Sequence, residues 1–352
     1  MNGYRPQAKA KSMPPRSNRR TPVRRQAVKT HTGQNGNGLA CQRLAVLPNG
    51  NVNSVRRRLL AGSVGGVVSS CFPGTVSAAS LSRKPLRIGT TAVFLNEQLQ
   101  LLDVWRQDLR DILGFDVQFV QRRSYGEIVE LLLNRQLDAA WICGFPYVQH
   151  ADSFRLLAVP VYQGQPLYRS YLIVQEENRQ ARGIADLYGC VFAYSDPLSN
   201  SGFLVPMAQM ASVSLDPSRF FRKAMFTFAH RKVVQAVASG LADAGAVDGY
   251  VWDTIAEQFP EWTNGARVAW RSEYYGFPPI VARHDLEVDQ FHGLQHALLS
   301  MTQRPRGRLI LSRLCLDRFS VKDPGIYDDI RSLLQSVNPA HLSRANATAP
   351  AV

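Results

Sequence analysis

From Leu86 onward the chain keeps returning to one order, a short apolar strand followed by a stretch of helical spacing, and that order admits few architectures. Leu86-Arg87-Ile88-Gly89-Thr90-Thr91-Ala92 reads as a strand. Glu97 to Leu113 follows as a helix, with Leu99, Leu102, Trp105, Leu109 and Leu113 on one face and Gly114 as its C-cap. Phe115 to Val120 alternates as a second strand. Ser124-Tyr125-Gly126-Glu127 is a capping box opening a helix to Asn134, and Asp138 to Ile142 is a third, buried strand. Parallel strands need a crossover between them, so successive strand-helix units predict a parallel sheet that takes its ligand at the strands' carboxyl ends.

A second run starts after Gly164-Gln165-Pro166. Tyr168 to Val174 alternates as a long strand able to carry the chain across. Cys190 to Tyr194, Ala224 to Phe228 and Ala242 to Val247 are short buried strands with helices between them. Pro278-Pro279-Ile280-Val281-Ala282 reads as a return strand, and Asp285 to Thr302, Gly307 to Leu314 and Pro324 to Val337 as amphipathic helices. The expected fold is α/β in two lobes, each a mainly parallel sheet flanked by helices, joined by two crossing strands. Lobe 1 takes 86–165 plus 276–340, lobe 2 takes 166–275, and 341–352 is expected to be a loose tail.

Charge separates the front of the chain from the rest. All 16 Lys and Arg before residue 97 come without a single acid, while the remainder carries 25 basic and 27 acidic residues. The formal +14 therefore belongs to the leader, and a slightly acidic body argues against nucleic-acid binding. Residues 1–54 hold too little aliphatic material to offset chain entropy and are expected to be a disordered basic extension, or sequence ahead of the true start. Residues 55–79 follow the n, h, c order of an export signal: Arg57-Arg58 before Leu59-Leu60 resembles a twin-arginine signal, and the run Ala61 to Phe72 is too short to span a bilayer. Two processing sites compete, Val76-Ser77-Ala78 for soluble release and Val68-Ser69-Ser70-Cys71 as a lipobox acylated at Cys71. The expected location is the periplasm or the outer face of the cytoplasmic membrane. Cys143, Cys190 and Cys315 then remain; widely spaced, they fit neither a disulfide framework nor a zinc pattern and read as core thiols.

Two segments carry the chemistry. In Ser195-Asp196-Pro197-Leu198-Ser199-Asn200-Ser201-Gly202-Phe203-Leu204-Val205-Pro206 a buried strand runs into short hydrogen-bonding residues and then an apolar helical stretch. A helix start leaves backbone N–H groups unpaired; two hydroxyls and an amide added there make an oxyanion cradle without a full positive charge, or simply a well-capped helix. The second segment runs from His230 to Trp252: His230 opens a helix, Gly240 closes it, and Asp248 and Tyr250 emerge at the end of the next strand. D-P-x-S-x-S-G-x-x-V-P followed by the helix-opening His and D-A-G-A-V-D-G-Y-V-W resembles the phosphate/phosphite/phosphonate-binding proteins that feed ABC importers, a likeness running from about Leu86 to Val337.

The resemblance implies the two-lobed clamshell of periplasmic binding proteins. It implies that Ser199, Asn200 and Ser201 hold the oxyanion, that His230 donates to it and that Asp248 faces the ligand's other end. Tyr125 and Tyr168 fall where the family has aromatic walls. Asn200 replaces the usual Thr, with an amide still able to donate. Trp141-Ile142-Cys143-Gly144-Phe145-Pro146-Tyr147 resembles the family's Gly-Pro turn with Phe145 splitting the pair, which places Tyr147 along the cleft. Capping suffices as a role for His230 or Asp248, and packing for the tyrosines; Arg122-Arg123 and Arg231-Lys232 read as solvated charges. The function implied is capture of a small phosphorus oxyanion (phosphonate, phosphite or phosphate) for a membrane ABC permease, by a monomer, with no enzymatic step, cofactor or metal. A sensor partnered with a membrane kinase is the rival of another class. A binding-fold enzyme or binder for a thiamine-precursor-like or sulfonate ligand is the other, and no H-E-x-x-H, C-x-x-C or G-x-S-x-G supplies its chemistry.

Overall fold

A computed structural model describes residues 84–91 and 99–348. The basic extension, the export signal, both processing sites and Cys71 lie outside the described residues. Strands β1 (Leu86–Thr91), β2 (Val117–Arg122), β3 (Ala139–Trp141), β4 (Phe154–Val161), β10 (Ile280–Arg283) and β11 (Arg318–Ser320) form a six-stranded sheet in the order β11-β4-β10-β3-β1-β2. Strands β5 (Leu167–Gln175), β6 (Val191–Tyr194), β7 (Lys223–Phe226), β8 (Ala244–Asp248) and β9 (Ala266–Gly276) form a five-stranded sheet in the order β7-β6-β8-β5-β9. Helices α1 (Leu99–Leu113), α2 (Tyr125–Leu133) and α3 (Gly144–Gln149) belong to the first run, and α4 (Val205–Ser212), α5 (Pro217–Phe220), α6 (His230–Ala238) and α7 (Gly249–Gln258) to the second. Then come α8 (Val288–Leu299), α9 (Pro305–Arg313), α10 (Asp328–Ser336) and α11 (Pro339–Thr348). Each sheet with its helices makes one lobe.

The strand-helix runs give the parallel pairing expected of them, β1 with β2 and β3, and β6 with β7 and β8. Both sheets are nevertheless mixed, because the strands next to the crossings run the other way: β10 is antiparallel to β3 and β4, and β5 to β8 and β9. A chain that leaves one sheet and returns to it enters from the opposite end, which reverses the returning strand. Strands β4, β9 and β11 were not expected from the sequence. Gly245 is needed where β8 is pressed between β6 and α6, since a Cβ there would come within 2.4 Å of Val233 and 2.8 Å of the Ala193 carbonyl.

Each lobe has its own aromatic core. Trp105 of α1 meets Phe119 at 5.5 Å and Trp141 and Phe319 at 6.3 Å in the first; Phe192, Tyr194, Phe203 and Phe226 pack in the second. The two crossings run side by side: Phe277 N–H donates to Pro166 O at 2.9 Å, and Pro278 O accepts from the Trp141 indole at 2.9 Å. Rings of Tyr162, Tyr168 and Tyr250 close around Phe277 there. The expected loose tail is a correction: Pro339–Thr348 is helix α11, which packs on α5 and inserts Leu342 against the core. Its neighbour α10 touches both α3 and α4, so helices as well as strands bridge the lobes. Sequence reading missed this because the segment is polar and its apolar residues are few. Among the described residues no helix is long and apolar enough to cross a membrane.

Candidate functional site

The site begins where β6 ends. Ser195 to Leu198 turn the chain, and Ser199, in extended conformation, caps the next helix by accepting Gly202 N–H at 3.0 Å. The first turn, Asn200–Leu204, is a π turn wider than an α turn, and α4 continues from it. Only glycine fits at 202: a Cβ would lie 1.8 Å from Ser195 Oγ. All five residues Ser195, Asp196, Ser199, Asn200 and Ser201 are buried.

His230, the first residue of α6, is buried and points its ring between this helix start and Asp248. Its Nδ1 accepts the Asp248 backbone N–H at 3.0 Å, so the proton sits on Nε2, which faces Ser199 Oγ at 3.5 Å. Burial pulls its ionisation down to about 3, and it stays neutral. Ser199 Oγ thus accepts from Gly202 and from His230, and its own O–H remains to donate outward. Asp248 caps α7, one carboxylate oxygen accepting Tyr250 N–H at 2.8 Å and Val251 N–H at 3.4 Å. Burial nevertheless pushes its ionisation up to about 8, against those two bonds.

The first lobe contributes Tyr125, at the start of α2, and Cys143, after β3. Tyr125 N–H donates to Asp196 Oδ2 at 3.0 Å, while Asp196 Oδ1 accepts Leu198 N–H at 2.7 Å. Asp196 thereby caps a helix of the opposite lobe, and burial raises its ionisation to about 6. Thr91, Tyr125, Ser195, Asp196 and His230 surround a narrow void, with Arg123 and Phe228 also lining it. Tyr168, on β5, receives the Asn200 side-chain N–H at 3.1 Å.

The structure therefore gathers Ser199, Asn200, Ser201, His230, Asp248, Tyr125 and Tyr168 and leaves out Tyr147. Tyr147 is buried against Tyr327, ring centroids 5.0 Å apart, on the side of α10. The Asn200 amide is a second correction: one end is already committed to Tyr168, and the other, buried, has no partner. Arg122 and Arg123 are both exposed as expected, and Arg123 lies over the Phe228 ring at 5.0 Å beside the void. Sequence reasoning missed Asp196, Ser195, Thr91 and Cys143. Ser195 and Asp196 stood in the segment already quoted and Cys143 in the turn after the third strand, but none had been given a part in the site; Thr91 carried no signal of its own. Among the described residues no group of three His, Cys, Asp or Glu is placed to hold a metal ion.

Three buried side-chain atoms at this helix start, Ser195 Oγ, Asn200 Oδ1 and Ser201 Oγ, have no hydrogen-bond partner. Buried polar atoms left unpaired cost about 1–3 kcal/mol each, so three in one place mark a position a ligand would satisfy. The Asp196 contact spans the lobes and yields a prediction. Asp196→Ala should weaken ligand binding about tenfold through faster release, as the loss of one charge-assisted bond of ~1.5 kcal/mol that exists only with the lobes together. Wild-type release should accelerate as pH falls below about 6, where Asp196 takes up its proton. Stopped-flow displacement measures both, and an unchanged release rate in the variant would remove Asp196 from closure.

The model of the periplasmic substrate-binding proteins of phosphonate ABC transporters matches residues 88–325. The phosphate-import protein PhnD of Mycolicibacterium smegmatis is 27% identical over 231 residues, 58% of this chain and 71% of that protein. The phosphonates-binding periplasmic protein of Escherichia coli is 26% identical over 215 residues, 59% of this chain and 63% of its own length. Among solved structures, PhnD1 of Prochlorococcus marinus in complex with methylphosphonate aligns with a TM-score of 0.64 at 21% identity, covering 72% of this chain and 99% of that one. A binding-protein component of an ABC phosphonate transporter from Pseudomonas aeruginosa gives 0.66 at 21% identity, covering 74% and 88%.

Proposed function

Because this chain belongs to the family of periplasmic substrate-binding proteins of phosphonate ABC transporters, we propose that it captures a small phosphonate between its lobes and hands it to a membrane permease. The observation that carries the ligand is the helix start at Ser199, where the Ser199 O–H and the Ser201 hydroxyl lie buried and available to an oxyanion, while the unpaired Asn200 Oδ1 beside them can accept from a P–OH or an ammonium group. Tyr125 and Tyr168 supply walls and hydroxyls from the two sides, and Asp248 receives whatever hydrogen the ligand brings. A micromolar ligand needs about −8 kcal/mol, and bonds to a charged group net ~1.5–3 kcal/mol each, so four or five such donors account for capture. Every one of these donors is uncharged. Between two buried acids, Asp196 and Asp248, a ligand that brings an ammonium group gains more than a bare oxyanion, which ranks aminoalkylphosphonates ahead of phosphate.

The protein acts as a monomer, released into the periplasm or tethered through Cys71. Lobe 1 comprises 86–165 with 276–340, and lobe 2 comprises 166–275. Titration calorimetry tests the ligand, with methylphosphonate, 2-aminoethylphosphonate, phosphite, phosphate and a sulfonate at pH 7. The aminoalkylphosphonate is expected to bind at micromolar Kd or better and phosphate at least tenfold more weakly. Phosphate or the sulfonate binding tightest would reject phosphonate as the ligand.

A further inference from the structure

We infer that Cys143 is a working part of the ligand site: its thiol, carried by the first lobe, holds the Asn200 backbone N–H of the second and sets Asn200 and Ser201 in place for the ligand. The inference rests on the proposed phosphonate reading and concerns a residue that the motif comparison leaves outside the site.

Cys143 Sγ accepts Asn200 N–H at 3.2 Å and stands 4.0 Å from the Tyr168 hydroxyl, which itself receives the Asn200 side-chain N–H at 3.1 Å. Asn200 is thus gripped twice, by its backbone from the first lobe and by its side chain from β5. What remains unpaired is the far end of its amide and the neighbouring Ser201 hydroxyl, on residues that are 0% and 1% exposed. Those two atoms point independently to a ligand at the place the thiol fixes.

The thiol is there by construction. Cys143 precedes α3 with extended backbone angles of −73° and 157°, and its sulfur faces the backbone N–H groups of both Phe145 in its own helix and Asn200. Helix α3 packs closely on α10 here, since a Cβ on Gly144 would already lie 2.6 Å from Ile330 Cδ1. Burial pushes the thiol's ionisation up to about 11, so it is a neutral S–H whose weak acceptor faces a peptide N–H. A serine oxygen offers the same acceptor at a slightly shorter reach; alanine offers none.

Three proteins test this, wild type, Cys143→Ala and Cys143→Ser, with Ser201→Ala as comparator and methylphosphonate as probe. Cys143→Ala should bind about fivefold to tenfold more weakly, while Cys143→Ser should stay within about threefold of wild type, as expected for one lost and then restored hydrogen bond. In wild type, N-ethylmaleimide labelling of the Cys143 peptide, followed by mass spectrometry, should slow at least about tenfold under saturating methylphosphonate, since closure shields the thiol. That readout stands even if the alanine variant does not fold. Alanine binding like wild type, or labelling indifferent to bound methylphosphonate, with Ser201→Ala impaired, overturns the role of Cys143 and leaves the ligand reading intact. Unimpaired binding by Ser201→Ala as well, or no methylphosphonate binding by wild type, overturns both.

Discussion

Asp248→Asn is expected to stabilise the ligand-free protein at pH 9 by several kcal/mol while weakening its hold on 2-aminoethylphosphonate at least about tenfold. Both halves follow from one buried carboxyl. In the fold Asp248 keeps its proton to about pH 8, whereas its ordinary value is 3.8. Unfolding between these pH values releases that proton, so stability falls as pH rises from about 4 to about 8 and stays low above that. Over that span the linkage amounts to something on the order of 3–5 kcal/mol once relaxation around the charge is allowed for. Asparagine keeps the oxygen that accepts Tyr250 N–H and Val251 N–H and caps the helix as well as aspartate does, so the substitution removes the charge and little else. A ligand ammonium beside Asp248 favours its ionised form and gains an ion pair that asparagine cannot supply. Methylphosphonate, which can bring only a P–OH proton, should lose less, and its wild-type affinity should decline above about pH 8 as Asp248 ionises. Urea denaturation from pH 5 to 9 and calorimetry over the same range read these effects. Parallel stability curves for the two proteins would mean that Asp248 ionises freely, and equal losses for both ligands would reduce it to a helix cap.

Ser199→Ala and Ser201→Ala should each weaken binding of the best phosphonate about 5- to 150-fold, by ~1–3 kcal/mol, because each leaves a buried ligand oxygen short of a donor. Their effects on folding should differ. Ser199 caps the helix through Gly202 N–H and accepts a hydrogen bond from His230 Nε2–H, so its loss should also destabilise the fold by about 1 kcal/mol. Ser201 Oγ is buried without a partner, so alanine there should leave the unliganded fold as stable as before or slightly more so. Calorimetry with methylphosphonate and with the aminoalkylphosphonate, beside thermal melts, separates the two. Wild-type affinity in both variants would place the anion elsewhere.

How far the cradle could be read beforehand depends on where its parts lie along the chain. Ser199, Asn200 and Ser201 are consecutive, His230 opens a helix and Asp248 ends a strand, each within a local pattern of capping or alternation that the sequence carries openly. Asp196 was visible as a residue but not as a latch, since the Tyr125 N–H it caps is 71 positions away. Cys143 reads as an ordinary core thiol, because Asn200 approaches it only across the lobes, 57 positions along the chain. Tyr147 failed for the opposite reason: its place in a turn suggested the cleft, and the packing of α10 took it for Tyr327.

By itself the sequence determined the two α/β runs, the helix starts and the residue types of the cradle, all of which rest on periodicity and capping within a dozen residues. Tertiary structure alone decided the antiparallel strands next to the crossings, the docking of α11 and the pairing of hydrogen-bond donors with acceptors. It also made His230 a neutral donor and Asp248 an acid that holds its proton to about pH 8. The reason is physical: burial and long-range contact set ionisation and hydrogen-bond partnership, and neither is a property of a residue's neighbours in sequence.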